Sequence, residues 1–215
     1  LSEAKCLFVW THDSVGVGED GPTHQPVEQV MSLRAIPGLR VIRPADATET
    51  AGAWKLAVES DGPTALILSR QDLPVLAETT AEGVAQGAYV LRDPDGAEIV
   101  LVGTGSEVSL CLDASAALAE SGVAARVVSM PCWDAFEQEP LAVQDAVLPP
   151  HLPTVSVEAG VTQGWGEHAD LAVGIDRFGA SAPGGRALAE LGMTVDNVVA
   201  AARELLAATH DSDGR

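Results

Sequence analysis

Compact apolar runs alternate along this chain with longer stretches in which apolar residues recur at helical spacing. Lys5–Thr11 (KCLFVWT) is an apolar run of strand length that reads as a buried strand, and a Gly-rich loop follows it from His12 to Gln25. Pro26 suits the first turn of a helix running to about Ala35, with Val27, Val30, Met31 and Ile36 on one side. Arg40–Arg43 is a short strand closed by Pro44. Asp46 or Thr48 then caps a helix reaching Glu59. A turn at Asp61–Gly62–Pro63 leads into Thr64–Ser69 (TALILS), which reads as a buried strand.

Residues 70–87 have weak periodicity and read as a linker. Beyond them the same alternation predicts strands at Ala88–Arg92, Glu98–Gly103, Ala125–Ser129, Thr154–Glu158 and Leu171–Ile175. Helices are predicted at Ser106–Ser121, 184–191 and 195–208, and an irregular Pro-rich segment carries Trp133 and Phe136. Strands alternating with helices predict an α/β fold of mostly parallel sheets covered by helices on both faces. The linker divides it into two units, 1–72 and 86–215, joined by 73–85. The first supplies only three strands, so its sheet is expected to be completed by chain preceding Leu1. The opening Leu1–Ser2–Glu3, with no Met, reads as the start of a piece cut from something longer.

Charge narrows the function. The 215 residues carry 31 acidic and 12 basic groups, a net charge of −19, which a nucleic-acid phosphate backbone would repel. Hydrophobic residues make up 47%, enough for a folded core, so disorder is excluded. The acidity is uneven: residues 1–80 hold 6 basic and 11 acidic groups, residues 81–215 hold 6 and 20. The second unit is therefore the poorer place for an anion. Ten of the basic groups are Arg and two are Lys, which fits a GC-rich genome and says nothing of function. Cys6, Cys111 and Cys132 fit neither a disulfide framework nor a CxxC metal site. Cys6 and Cys111 read as buried thiols. With no signal peptide and no apolar run of membrane length, a cytoplasmic location is expected.

Several motifs lead nowhere. Gly16–Gly21 matches GxGxxG, but its helix begins too late and Glu19 and Asp20 would face the phosphates. There is no GxSxG elbow and no Cys–His metal cluster. Gly103–Ser106 reads as a structural strand-to-helix turn with Ser106 as cap. Asp46 and Glu49 read as carboxylates favoured in a first helical turn. Trp54, Trp133 and Trp165 read as packing residues whose surroundings lack basic groups. His151, His168 and His210 show no partner in sequence.

The Gly-rich loop is different. In open α/β sheets ligands gather at the carboxyl ends of strands. His12, Asp13, Asp20 and His24 all follow such an end, and Arg70 ends the TALILS strand. Arg offers a forked donor to phosphate, His can donate or move a proton near neutral pH, and Asp accepts from a hydroxyl. The residues alone leave two readings open: a rim for an anionic, hydroxylated small molecule, or loop polars and caps.

The stretch THDSVGVGEDGPTHQPVE (Thr11–Glu28) strongly resembles the transketolases. VIRPAD (Val41–Asp46), DGPTALILSRQ (Asp61–Gln71), GTGSEV (Gly103–Val108), RVVSMP (Arg126–Pro131), VEAG (Val157–Gly160), FGASAP (Phe178–Pro183) and TVDNVV (Thr194–Val199) continue the likeness in order. The resemblance implies the end of a pyrimidine-binding domain followed by a transketolase C-terminal domain. It implies transfer of a two-carbon ketol unit between sugar phosphates of the pentose phosphate pathway, with thiamine diphosphate and Mg²⁺ or Ca²⁺ in a homodimer. Carried over by motif, His24 is catalytic, Asp20 contacts a substrate hydroxyl, and His12 and Arg70 hold the substrate phosphate. The GDG motif of the diphosphate and metal site does not occur here, so this chain alone is expected to bind neither cofactor nor metal and to be inactive. The runners-up are a non-catalytic interaction or dimerisation fragment and a related thiamine enzyme such as deoxyxylulose-phosphate synthase.

Overall fold

A computed structural model describes residues 4–213, with side chains through residue 209. The expectation for Leu1–Glu3 and the side chain of His210 lie outside the described residues. The chain forms two sheets. The first is three-stranded and parallel, in the order β1-β3-β2, from β1 (Leu7–Trp10), β2 (Arg40–Ile42) and β3 (Thr64–Ile67). Helices α1 (Gln29–Arg34) and α2 (Ala47–Glu59) cover it. Alternation along β3 explains why both faces are filled. Ala65 and Ile67 pack with Val30 and Leu33 of α1, while Leu66 packs with Ala53 and Ala57 of α2.

The second sheet has the order β4-β6-β5-β7-β8. Its strands are β4 (Tyr89–Arg92), β5 (Ile99–Gly103), β6 (Ala125–Ser129), β7 (Thr154–Val157) and β8 (Leu171–Val173). Only β4, on an edge, runs antiparallel to its neighbour. Helix α3 (Glu107–Glu120) follows β5, and helices α4 (Trp133–Gln138) and α5 (Leu141–Val147) lie between β6 and β7. The chain closes with α6 (Gly184–Glu190) and α7 (Val195–Asp213). In β5, Ile99 and Leu101 face Leu118 of α3 and Val198 of α7, whereas Val100 and Val102 face Trp133 and Phe136 of α4. A central strand buried on both faces must be apolar throughout, as IVLV is. The fold is therefore α/β with mostly parallel sheets covered by helices.

Several local expectations are corrected. β1 is not buried: Phe8, Val9 and Trp10 are each about 40% exposed, and the Phe8 and Trp10 rings stack on each other. An apolar run reports affinity for cover, not its presence. The first helix starts at Gln29 rather than Pro26: the chain still bends at Val27, whose carbonyl accepts from Val161 N of the second unit instead of from a helical N–H. The segment between Met130 and Thr154 is helical, as α4 and α5. The 70–87 stretch is anchored rather than free. Leu76 N and Thr79 Oγ1 both donate to Asp46 Oδ2, whose Oδ1 caps α2 through Glu49 N.

Cys6 is exposed, while Cys111 and Cys132 are buried. Burial pushes both buried thiols up, Cys132 to about 12. A disulfide reagent such as DTNB is expected to titrate one of the three thiols promptly in the native chain and the rest only in denaturant. Prompt reaction of a second thiol would contradict the packing around Cys111 or Cys132.

Candidate active site

The loop between β1 and α1 is built from tight turns. Ser14 sits at φ 57° and its Oγ accepts from Gly16 N, a strained start that the surrounding bonds hold in place. Gly18, at φ 85°, lets the chain reverse while its backbone lies against Gly184. His24 N and Gln25 N then return to Gly21 O. Gln25 is buried, and its Nε2 donates to Val15 O, Gly18 O and Ala180 O at 3.2, 2.8 and 3.0 Å.

The two ends of this loop line one cavity and its middle lines another. His12 and His24 face a cavity of about 500 Å³ walled by Trp10, Val30, Leu33 and Ile67. Each ring is oriented by the preceding threonine: Nδ1 of His12 lies 3.2 Å from Thr11 Oγ1, and Nδ1 of His24 lies 3.0 Å from Thr23 Oγ1. Among the described residues nothing else bonds these rings, so Nε2 is open in both. Asp20 and Arg70 face a second cavity of about 650 Å³, together with Gln71, Ser106, Ser109 and Gly184. All four side chains are exposed, and Arg70 makes no ion pair among the described residues. His12 and His24 thus line one cavity and Asp20 and Arg70 another, both along the Thr11–Gln25 loop.

Asp13 does not join that rim. It is 3% exposed, and its Oδ2 accepts from Arg43 Nη2 and Nε at 2.7 and 3.1 Å. Arg43 Nη1 also meets Glu107 Oε2 at 2.6 Å and Thr104 O at 2.5 Å. Burial raises the Asp13 carboxyl above its ordinary value although Arg43 pulls it down; burial works against the Arg43 charge too, but the three surrounding carboxylates outweigh it and hold Arg43 firmly protonated. Gly105 completes the nest, because at φ 58° its bare Cα leaves room for the Arg43 guanidinium. A second buried pair, Arg34 with Glu158, is bidentate at 3.0 and 2.8 Å. Both pairs join the first sheet's elements to the second's.

Other residues have roles their spacing concealed. Glu49 is fully buried and accepts from Ser129 Oγ, Tyr89 Oη and Ala45 N, so it is a bridge rather than a surface carboxylate of a first turn. Ser106 is the N-cap residue of α3 but makes no side-chain capping bond; its hydroxyl donates to Glu107. Trp133 does have a basic neighbour: Arg34 lies 4.2 Å above its ring. His168 packs edge-on against Trp133, and its Nε2 lies 3.2 Å from Glu137 Oε1. Arg34, Arg43, Glu49, Glu107 and Glu158 were all missed as structural groups. The available signal was a charge set in an apolar run, as in RVIRP and VSVEAG, because such a charge is buried only when paired.

Comparison with known proteins now adds to this geometry. The family model for the transketolase pyrimidine-binding domain matches residues 1–75, and that for the transketolase-like C-terminal domain matches residues 87–194. The chain belongs to the transketolase family. It is 54% identical over 211 residues to a transketolase of Geobacillus stearothermophilus, covering 93% of this chain and 31% of that relative. A Pichia stipitis transketolase in complex with sedoheptulose 7-phosphate superposes with a TM-score of 0.95 at 41% identity, over 98% of this chain and 31% of that one. A split-gene transketolase described as an inactive β4 tetramer superposes at 0.77 with 25% identity, over 94% of this chain and 67% of that one. The chain therefore spans about a third of the length of the curated transketolases it matches. Its motifs now have physical content. THDS and VIRPAD supply Asp13 and Arg43, GTGSEV supplies Glu107, and VEAG supplies Glu158: the buried charges that bind the two sheets together. Among the described residues no helix is long and apolar enough to cross a membrane.

Proposed function

We propose that this chain supplies the sugar-phosphate side of a transketolase active site, in an enzyme that moves a two-carbon ketol unit between ketose and aldose phosphates. The single observation that carries this reading is the set of open groups along the Thr11–Gln25 loop: two imidazoles with no bond at Nε2 among the described residues, and Arg70, which shares a cavity with Asp20 and makes no ion pair among those residues. His24 is the catalytic residue, holding or moving a proton at Nε2 near the reacting carbons. His12 and Arg70 donate to the substrate phosphate, and Asp20 accepts from a substrate hydroxyl. A chain of net charge −19 needs such local donors to receive an anion.

Among the described residues no three His, Cys, Asp or Glu side chains form a group able to hold a metal. The acid facing the His12–His24 cavity is Asp13, which Arg43 already occupies. In this reading thiamine diphosphate and its Mg²⁺ or Ca²⁺ are held by the two thirds of the relatives' length that this chain does not span. The exposed edge and face of β1, with Phe8 and Trp10, suit a neighbour from that portion. The units divide at 1–72 and 86–215 with 73–85 between them, and the full enzyme is a cytoplasmic homodimer.

The test is ketol transfer from xylulose 5-phosphate to ribose 5-phosphate with thiamine diphosphate and magnesium. The chain alone is expected to be silent, and the chain mixed with a separately made N-terminal portion to be active. The inactive state named for the split-gene relative agrees with the first half of that expectation. Silence of a mixture shown to associate would favour a non-catalytic interaction module instead.

A further inference from the structure

The middle of the proposed site loop leans on the second unit. Three glycines, at 16, 18 and 21, leave it few side chains to pack. Its one buried apolar residue on the near side, Val15, is fully enclosed, and it sits with Ala159, Ile175 and Met193 of the second unit. Its one buried amide, Gln25, directly follows His24 and bonds three carbonyls, two in its own loop and one at Ala180. Ser181 Oγ donates to Glu19 O at 2.6 Å, immediately before Asp20. Gly179 lies so close to Gln25 Oε1 that a Cβ there would overlap it.

From these contacts we infer that the Phe178–Pro183 loop of the second unit is a clamp that sets the positions of Asp20 and His24, with Gln25 and Gly179 as its positioning residues. The inference rests on the functional reading above and assigns a task to the C-terminal unit in that site. The clamp grips both sides of the Glu19–His24 segment: Ser181 before Asp20, Gln25 after His24. Misplacing a reacting group by about 1 Å can cost on the order of 100-fold in rate. Loop placement is therefore a catalytic variable even though neither Gln25 nor Gly179 touches the reaction.

Hydrogen–deuterium exchange on the full chain tests the clamp directly. Gln25→Ala and Gly179→Ala are each expected to speed exchange in peptides covering residues 14–24 by about tenfold, the scale of one to two lost hydrogen bonds. Peptides of β5 should be unchanged. Gly179 has no left-handed φ, so alanine there strains only its contacts, chiefly the Gln25 amide and more lightly Val15 Cγ1. In the reconstituted mixture each variant should lower kcat/KM about 100-fold, mostly in kcat, with association of the two portions intact. Adding Gly179→Ala to Gln25→Ala should cost no more than about twofold further, because the clashing amide is already gone. Ser181→Ala removes one exposed hydroxyl and cannot unfold the protein; it should speed exchange around Asp20 about threefold. Unchanged exchange in residues 14–24, or single effects that simply multiply in the double variant, would overturn the clamp. A wild-type mixture without activity would sink the ketol-transfer reading, while exchange would still decide the clamp.

Discussion

Replacing Arg43 with methionine is expected to destabilise the chain by about 3–5 kcal/mol, the usual cost of stripping a buried charge cluster of one member. Arg43 is 1% exposed and satisfies Asp13, Glu107 and the Thr104 carbonyl at once. Methionine fills much of the same volume, so the effect isolates charge from packing. What remains is two buried carboxylates facing each other without a cation. Loss of this size is a large share of the roughly 5–15 kcal/mol that holds a typical domain together. Urea titration followed by fluorescence measures it. A change under about 1 kcal/mol, the scale of an exposed pair, would mean that water reaches the cluster.

The same variant has a signed pH dependence. Burial raises the Asp13 carboxyl from its ordinary value, and Arg43 is the group that pulls it back. Without Arg43 the folded state keeps the Asp13 proton to higher pH than the unfolded chain does. Stability from such a group is complete below the unfolded value and is lost as pH rises through the folded one. The deficit of Arg43→Met should thus be smaller at pH 5 than at pH 8. Adding Asp13→Asn should recover part of it at pH 8 and little at pH 5.

The fold was legible in the sequence wherever one run filled one role. IVLVG and TVSV are apolar throughout because they are buried on both faces, and Ala125–Ser129 has the same bounds in sequence and structure. Helices α4 and α5 were hidden because prolines 131, 140 and 149 punctuate them and neither exceeds seven residues, too few for a period to emerge. The rim of His12, Asp20, His24 and Arg70 follows from strand ends alone. That its members face two cavities depends on the turn at Gly18 and Gly21, which spacing does not encode. The buried charges were the least legible. Asp13, Arg43 and Glu107 are far apart in the chain, and only the docking of two sheets makes them one group.

Arg70→Lys and His24→Ala should fail in opposite ways in the reconstituted mixture. His24→Ala removes the proton-handling Nε2 and should lower kcat by about 100- to 10,000-fold, the range for losing a general acid–base group, with KM little changed. Its own ring makes only the neighbouring Thr23 contact, so folding should be unaffected. Arg70→Lys keeps the charge but loses the planar fork that grips a phosphate through two bonds. It should raise KM for sugar phosphates about tenfold, roughly the strength of one charge-assisted bond, and leave kcat near its wild-type value. Added salt should weaken substrate binding to the Arg70→Lys variant more steeply than to the wild type, since a point charge in an exposed position is screened while a directed pair is less so. Were His24→Ala to raise KM alone, His24 would be a binding residue, and the proton chemistry would belong to groups outside this chain. Were Arg70→Lys to leave KM unchanged, the phosphate would rest with His12 alone, and the Asp20–Arg70 cavity would be the mouth of the site rather than its grip.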